Sequence, residues 1–134
     1  MKRPEEQIHR AVISHMQLRA MPGVFYFHPA NGGWRSKAEG GILKAMGVRA
    51  GLPDLIIFYR AQIFGLELKA SYGRLSPSQR QTLNDMEVAG ARTHIAHSLD
   101  EALVTLECWG VIRREANSVP HRVPQQSLSG TAGG

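Results

Sequence analysis

The sequence predicts an α/β fold in which a central mixed β-sheet is flanked by helices. Segments with helical and strand periodicity alternate along the chain in the order helix, strand, short helix, two strands, helix, strand, helix. Chains with this alternation bury their apolar faces by packing helices against one sheet. The 134 residues fit one compact domain, and 43% of them are hydrophobic, which is enough for a core.

The first two elements are a helix and a short strand. Pro4 suits the first turn of a helix, and Glu5 and Glu6 lie near its positive end. Apolar residues then recur at helical spacing, so we expect a helix over residues 4–20. Residues 24–28 are mainly aromatic or β-branched, and they predict a strand.

The middle of the chain predicts a short helix and a pair of strands. The helix covers residues 36–46, between two loops rich in glycine and other turn-forming residues. Apolar runs at residues 54–59 and 62–69 then predict two strands, which are joined at Arg60 and Ala61.

A capping box marks the start of the next helix. Ser76 and Gln79 have the spacing of this motif, and Pro77 occupies the first helical position. The helix should therefore run to about Ala89 and stop at the glycine that follows.

The last predicted elements are a strand over residues 92–97 and a helix. A second capping box at residues 98–101 opens this helix, which ends near Gly110. Residues 116–134 have few apolar side chains and predict a flexible tail. The expected organisation is therefore one domain over residues 1–115, followed by this tail.

Charge and cysteine content restrict the class of protein. A net charge of +5 and a pI near 9.9 favour a polyanionic partner such as nucleic acid, because phosphate neutralisation releases counterions. A single cysteine, Cys108, excludes an internal disulfide framework. The first residues lack the apolar stretch of a signal peptide and no segment reaches transmembrane length, so we expect a cytoplasmic protein without membrane contact.

The paired strands bring two carboxylates and a lysine together if Arg60 and Ala61 form a two-residue turn. Asp54 then lies opposite Glu67, and Lys69 shares their face of the sheet. Opposed carboxylates repel, and a divalent cation such as Mg²⁺, which prefers carboxylate oxygens, would remove that conflict. The turn lacks the Asn-Gly chemistry of two-residue loops. A three-residue loop, which would put Asp54 on the other face, therefore stays open.

Two other kinds of site are disfavoured. His28, His94 and His97 raise the possibility of zinc, but residues three apart on a strand face opposite sides, and structural zinc sites need four ligands. Ser76 and Ser78 have no evident histidine partner and lie at a helix start, which argues against a serine hydrolase.

Four motifs follow one another along the chain, and their residues are Asn31-Gly32-Gly33-x-Arg35-Ser36, Gly47-Val48-Arg49-Ala50-Gly51-x-Pro53-Asp54, Gly65-Leu66-Glu67-Leu68-Lys69 and Gly73-Arg74-Leu75-Ser76-Pro77-x-Gln79. Together they resemble the VRR-NUC domain, a family of the PD-(D/E)xK nuclease superfamily. The similarity extends from about Glu5 to Gly110. It implies a restriction-endonuclease-like core that cleaves phosphodiester bonds in DNA with Mg²⁺ or Mn²⁺.

The resemblance also implies roles for individual side chains. Asp54 and Glu67 would be carboxylate ligands of the metal, with the carbonyl oxygen of Leu68 completing the set. Lys69 would orient or help deprotonate the attacking water, and Gln79 would steady Lys69 or that water.

Further residues are expected around the metal and the DNA. Glu5 best matches the first-helix glutamate of the family, in contact with the metal directly or through water, and Glu6 is the alternative. Trp34 is a candidate for stacking on a nucleotide, with a core edge as the other interpretation. Four basic side chains flank the site and are candidates for phosphate contacts, namely Arg35, Lys37, Lys44 and Arg49.

The resemblance implies a preference for branched DNA. Stand-alone members of the family, without extra DNA-binding domains, are expected to act on four-way (Holliday) junctions as homodimers, and we expect this chain to be of that type. Trp109, Val111 and Ile112 are candidates for the dimer face, with core packing as the alternative. Two other functions stay open. One is a nuclease that trims flaps or ends, and the other is a non-catalytic nucleic-acid-binding module on a nuclease fold.

Overall fold

The computed structural model describes residues 4–30 and 36–115. Every predicted element is present, and each boundary lies within two residues of its prediction. The elements are α1 (Pro4–Arg19), β1 (Phe25–Phe27), α2 (Lys37–Ala45), β2 (Leu55–Tyr59), β3 (Gln62–Leu68), α3 (Pro77–Val88), β4 (Arg92–Ala96) and α4 (Leu99–Cys108).

The four strands form one mixed sheet in the order β1-β2-β3-β4. β2 pairs antiparallel with both β1 and β3, whereas β4 runs parallel to β3. Parallel neighbours require a crossover connection, and α3 supplies it here. The predicted α/β class with a central mixed sheet is therefore confirmed.

The main hydrophobic core lies between one face of this sheet and the helices α1 and α4. Ile57, Phe64 and Leu66 on that face are at most 1% exposed, and they belong to one cluster with Met16 of α1 and Leu106 of α4. Burial of such side chains contributes about 1.5–3 kcal/mol each, so these two helices hold the sheet from one side.

Helix α3 packs against the opposite face, at β3. A Cβ atom on Gly65 would lie 3.1 Å from Cε of Met86 in α3, so the glycine permits this close approach. Glu67 and Lys69 point to the same face as Gly65, because side chains alternate along a strand. Side chains at the start of α3 are thereby brought within reach of both residues.

The β2–β3 hairpin has the two-residue turn on which the predicted cluster depends. Arg60 and Ala61 have φ angles of 49° and 62°, and Tyr59 pairs with Gln62. Positive φ at both central positions is typical of a type I′ turn, which normally uses glycine or asparagine. The three-residue alternative is thereby excluded.

The second capping box is only half formed. Ser98 Oγ accepts a hydrogen bond from the Glu101 N–H at 3.0 Å. The Glu101 carboxylate accepts from the backbone N–H of His97 at 2.9 Å, and not from that of Ser98. The first box, at α3, is complete.

Two of the three residues considered for a dimer face lie inside the protomer. Val111 and Ile112 are 0% and 3% exposed. After α4 the chain turns back and Ile112 forms a bridge with Ala20, which carries both side chains into the core. Trp109 is half-buried and also packs against the core. The dimer-face prediction was wrong at positions 111 and 112, and their alternative as core residues is the correct one.

Three predictions fall outside the described residues, namely those on Trp34, Arg35 and the tail at 116–134. Over residues 4–30 and 36–115, no helix has both the length and the apolar character needed to cross a membrane.

Candidate active site

Asp54, Glu67 and Lys69 lie together at one end of the β2–β3 hairpin. The register pairs Leu55 with Leu66, so the next step along the antiparallel ladder places Asp54 opposite Glu67. The backbone N–H of Leu68 donates to Oδ2 of Asp54 at 2.8 Å, which ties the residue before β2 to the end of β3. The sequence-derived register is therefore the one the structure has.

Gln79 connects the lysine with the glutamate. Its Oε1 accepts from Lys69 Nζ at 2.9 Å and from the Ser76 N–H at 2.9 Å. Its Nε2 donates to Glu67 Oε2 at 2.9 Å, and Lys69 Nζ lies 3.2 Å from the same oxygen. One side chain thus closes the capping box of α3 and holds both charged groups on β3.

Glu67 and Lys69 are buried although both are ionisable. Their exposed fractions are 3% and 9%. Burial, followed by the charge of Asp54, raises the pKa of the Glu67 carboxyl to about 7, against the opposing effect of the Lys69 ammonium. The site therefore disfavours two negative charges on this carboxylate pair.

The donor set fits a divalent cation. Asp54 and Glu67 present carboxylate oxygens from neighbouring strands, the hard ligands that Mg²⁺ and Mn²⁺ prefer. A cation between them would offset the repulsion by Asp54 that, after burial, raises the pKa of Glu67. The residues present are thus compatible with the metal chemistry expected from the sequence.

The structure separates the two first-helix glutamates. Oε1 of Glu5 accepts from the backbone N–H of Ala70 at 3.3 Å, beside Lys69. Glu6 pairs instead with Arg10, one turn along the same helix. The geometry favours Glu5 as the residue that reaches the site.

The basic residues expected to contact phosphates lie in two kinds of surroundings, some exposed and one in an ion pair. Lys37 and Lys44 are exposed on α2, and Lys44 lines a cleft of about 680 Å³ between α2 and α3. Arg49 forms an ion pair with Asp85 of α3, and its hydrogen bond holds the pKa of that carboxyl below the usual value. Arg49 therefore also links the loop before β2 to α3, and its role as a phosphate contact stays a prediction.

Two histidines beside Asp54 were not anticipated as a pair. The ring of His28 contacts the Asp54 carbonyl oxygen at 2.6 Å through Nδ1, and Nδ1 of His9 lies 3.8 Å from Asp54 Oδ1. The two rings meet edge to face at 4.4 Å. Burial, followed by the nearby His28, lowers the pKa of His9. The one sequence signal for His9 is its position four residues after Glu5, which puts both side chains on the same face of α1.

The histidines of the disfavoured zinc set do not assemble. Nε2 of His94 lies 2.8 Å from Oε2 of Glu101, and the His97 N–H donates to the other oxygen of that carboxylate. His94 and His97 thus share the Glu101 carboxylate at the start of α4, and the His97 ring also contacts the Gly73 carbonyl oxygen at 3.2 Å, whereas His28 lies against Asp54.

The fold and the cluster together define a nuclease of the PD-(D/E)xK superfamily. Pro53 and Asp54 precede β2, and Glu67-x-Lys69 ends β3 on the paired strand. The model of the VRR-NUC domain family matches residues 4–100, nearly three-quarters of the chain. This chain belongs to the VRR-NUC domain family.

Two solved structures have a similar fold. A "VRR_NUC domain protein" is 21% identical with a TM-score of 0.67, over 81% of this chain and 89% of that one. A "VRR_NUC domain" is 18% identical with a TM-score of 0.55, over 79% of this chain and 97% of that one. Identities at this level establish the shared fold. Among curated proteins, none matches this chain.

Proposed function

We propose that this nuclease is a metal-dependent endonuclease that hydrolyses phosphodiester bonds in DNA, with Asp54, Glu67 and Lys69 as its catalytic core. The observation that carries the proposal is the convergence of these side chains with Gln79 at one end of the hairpin. A buried lysine bonded to both a carboxylate and an amide is not explained by a solvated strand face, the ordinary interpretation of Glu-x-Lys.

The carboxylates of Asp54 and Glu67, with the carbonyl oxygen of Leu68, would hold a Mg²⁺ or Mn²⁺ ion. Glu5 would contact it directly or through water. When bound, the ion lowers the pKa of the attacking water and stabilises negative charge on the phosphate.

Lys69 is the side chain that would act directly on the attacking water and the reacting phosphate. Hydrolysis forms a bond from a water oxygen to phosphorus and breaks the bond to the leaving sugar oxygen. The ammonium group is fixed by Gln79 and Glu67, so it orients the attacking water and offsets charge on the phosphate oxygens without reorganising. Gln79 acts through Lys69 and is a positioning residue.

The exposed lysines of α2 supply a surface for the DNA backbone. Lys37 and Lys44 would contact phosphates, which position a duplex without reading its sequence. Arg35 is proposed for the same role on the basis of its sequence position alone. Contacts of this kind make the affinity for DNA depend on salt.

We also propose that the protein acts on branched DNA as a homodimer. A symmetric four-way junction presents two strands for cutting, and a two-fold dimer offers two active sites. An exposed aromatic cluster on the sheet face at β1 supports a protein contact there. Phe25, Phe27 and Phe58 are 40–61% exposed, and their rings lie 5.9–6.4 Å apart. Exposed apolar patches of this kind mark interaction surfaces.

Cleavage of end-labelled DNA tests this proposal. The wild-type chain would be incubated with Mg²⁺ or Mn²⁺ and a four-way junction, a flap, a single strand or a plain duplex, with EDTA as control. Metal-dependent cutting of the junction ahead of the others is expected. Faster removal of flaps or ends would assign the trimming role. Intact DNA binding without cutting of any substrate would leave a binding module.

The homodimer has its own measurement. Light scattering coupled to size-exclusion chromatography should give a mass of two chains for the wild type. Phe25→Ser should lower the measured mass toward that of one chain. A wild-type protein that elutes as a monomer at micromolar concentration would contradict this part of the proposal.

A further inference from the structure

We infer that His9, His28 and Asp54 form a second metal site, which takes a divalent transition metal such as Zn²⁺. One ligating atom from each of these residues lies within 4.8 Å of the other two. The inference deepens the proposed function at one point only, because Asp54 is also assigned to the carboxylate site. It is otherwise independent of catalysis.

The hydrogen bond of His28 prepares its ring for a metal. A carbonyl oxygen can only accept, so Nδ1 of His28 must carry the proton that it shares with the Asp54 carbonyl at 2.6 Å. Nε2 is then the ring nitrogen left to bind a metal. Metal-ligating histidines commonly donate their other N–H to a carbonyl or carboxylate, which fixes the tautomer and the ring orientation. His28 has this arrangement.

The two oxygens of the Asp54 carboxylate point toward different neighbours. Its Oδ2 accepts from the Leu68 N–H, on the side of β3 and Glu67. Its Oδ1 faces His9 at 3.8 Å, which is too long for a hydrogen bond. The Asp54 carboxylate can therefore bind a metal in the carboxylate site through Oδ2 and a metal held by the histidines through Oδ1.

The ligand chemistry selects the metal. Imidazole nitrogen suits Zn²⁺ and similar transition-metal ions, whereas Mg²⁺ and Mn²⁺ prefer oxygen ligands. Two histidines and one carboxylate leave a coordination position open for solvent or substrate, as in sites with three protein ligands. The side chains of His9 and Asp54 are 21% and 27% exposed, so such a ligand can reach them.

The alternative is a histidine pair that only packs. The edge-to-face contact of the two rings at 4.4 Å would stabilise the pair without any metal. Ring packing does not explain why Oδ1 of Asp54 faces Nδ1 of His9. These two atoms lie 3.8 Å apart, which is too far for a hydrogen bond.

Calorimetric titration of the untagged chain with Zn²⁺ tests the inference. We expect one equivalent to bind, with affinity reduced at least about tenfold in both His9→Gln and His28→Gln. His15→Gln, on the same helix, is the matched control and should bind as the wild type does. Co²⁺ provides a second probe, since its visible spectrum reports nitrogen coordination. His28 is exposed, so its variant should fold, and circular dichroism verifies each protein.

Glu67→Gln separates this inference from the proposed nuclease. It should keep the Zn²⁺ affinity of the wild type while losing Mg²⁺-dependent cleavage. Absence of Zn²⁺ binding by the wild type, or unchanged affinity in His28→Gln, would overturn the inference. Normal Mg²⁺-dependent cleavage by Glu67→Gln would overturn the assignment of Glu67 as a ligand in the carboxylate site and leave the second site standing.

Discussion

In metal-free protein, the buried carboxyl of Glu67 should make the fold less stable as the pH rises, and Glu67→Gln should remove that contribution. The side chain is 3% exposed, and burial, followed by the charge of Asp54, raises its pKa from 4.5 to about 7. The unfolded chain releases this proton near pH 4.5, whereas the folded chain keeps it until about pH 7. The contribution of this carboxyl to the unfolding free energy is therefore fully present below about pH 4.5 and is lost as the pH rises through about 7.

The size of the effect follows from the two pKa values. A rise from 4.5 to about 7 corresponds to roughly 3 kcal/mol, at about 1.4 kcal/mol for each pH unit. Other groups titrate in the same range, so the pH dependence of the wild type alone is not diagnostic. The difference between the wild type and Glu67→Gln isolates the carboxyl, because any effect of the substitution that is equal at both pH values cancels.

Urea denaturation in EDTA at pH 5 and pH 8 measures this difference. The wild type should lose roughly 2–3 kcal/mol more unfolding free energy between these pH values than the variant does. Mn²⁺ at pH 8 should restore stability to the wild type and much less to the variant, because the cation binds the folded carboxylate pair. Equal pH dependence in the two proteins would refute the reasoning.

Three further predictions, one of them with a matched control substitution, test the residues around the site. Ala61→Gly should raise the unfolding free energy by about 1 kcal/mol in urea titrations, because position 61 has a φ of 62°; a lower value would contradict the turn assignment. Gly51→Ala should cost at least about 2 kcal/mol, since its Cβ would meet the Ser78 carbonyl oxygen at 2.3 Å. Gly47→Ala, with a similar φ and no neighbour within 4 Å, is the control and should cost about half as much. Gln79→Ala should lower the cleavage rate by about 10–100-fold, and unchanged single-turnover cleavage would remove its positioning role.

Much of the fold was predictable because local signals agreed with one another. The capping box of Ser76 and Gln79 fixed the start of α3, and the apolar periodicity of α1 gave its limits. The cluster of Asp54, Glu67 and Lys69 depended on one variable, the length of the hairpin turn. Arg60 and Ala61 give no local signal for that turn, so tertiary pairing of the strands determines it.

Other features depend on contacts between distant parts of the chain. Arg49 and Asp85 are 36 residues apart, and no local pattern distinguishes a paired arginine from a phosphate-binding one. The meeting of His9 with His28 follows from the packing of α1 against the sheet. Ile112 is carried into the core by its bridge to Ala20, and the sequence gives no sign of that return.

The central claim is that Asp54 and Lys69 are catalytic, and the most direct measurement is single-turnover cleavage of a labelled four-way junction in Mg²⁺. Asp54→Asn and Lys69→Met would be compared with the wild type, with DNA binding measured in parallel by fluorescence anisotropy in Ca²⁺. The account predicts rates at least about 1000-fold lower in both variants, equivalent to about 4 kcal/mol of barrier, with DNA affinity changed less than threefold, roughly 0.6 kcal/mol. Cleavage by either variant at the wild-type rate would contradict it.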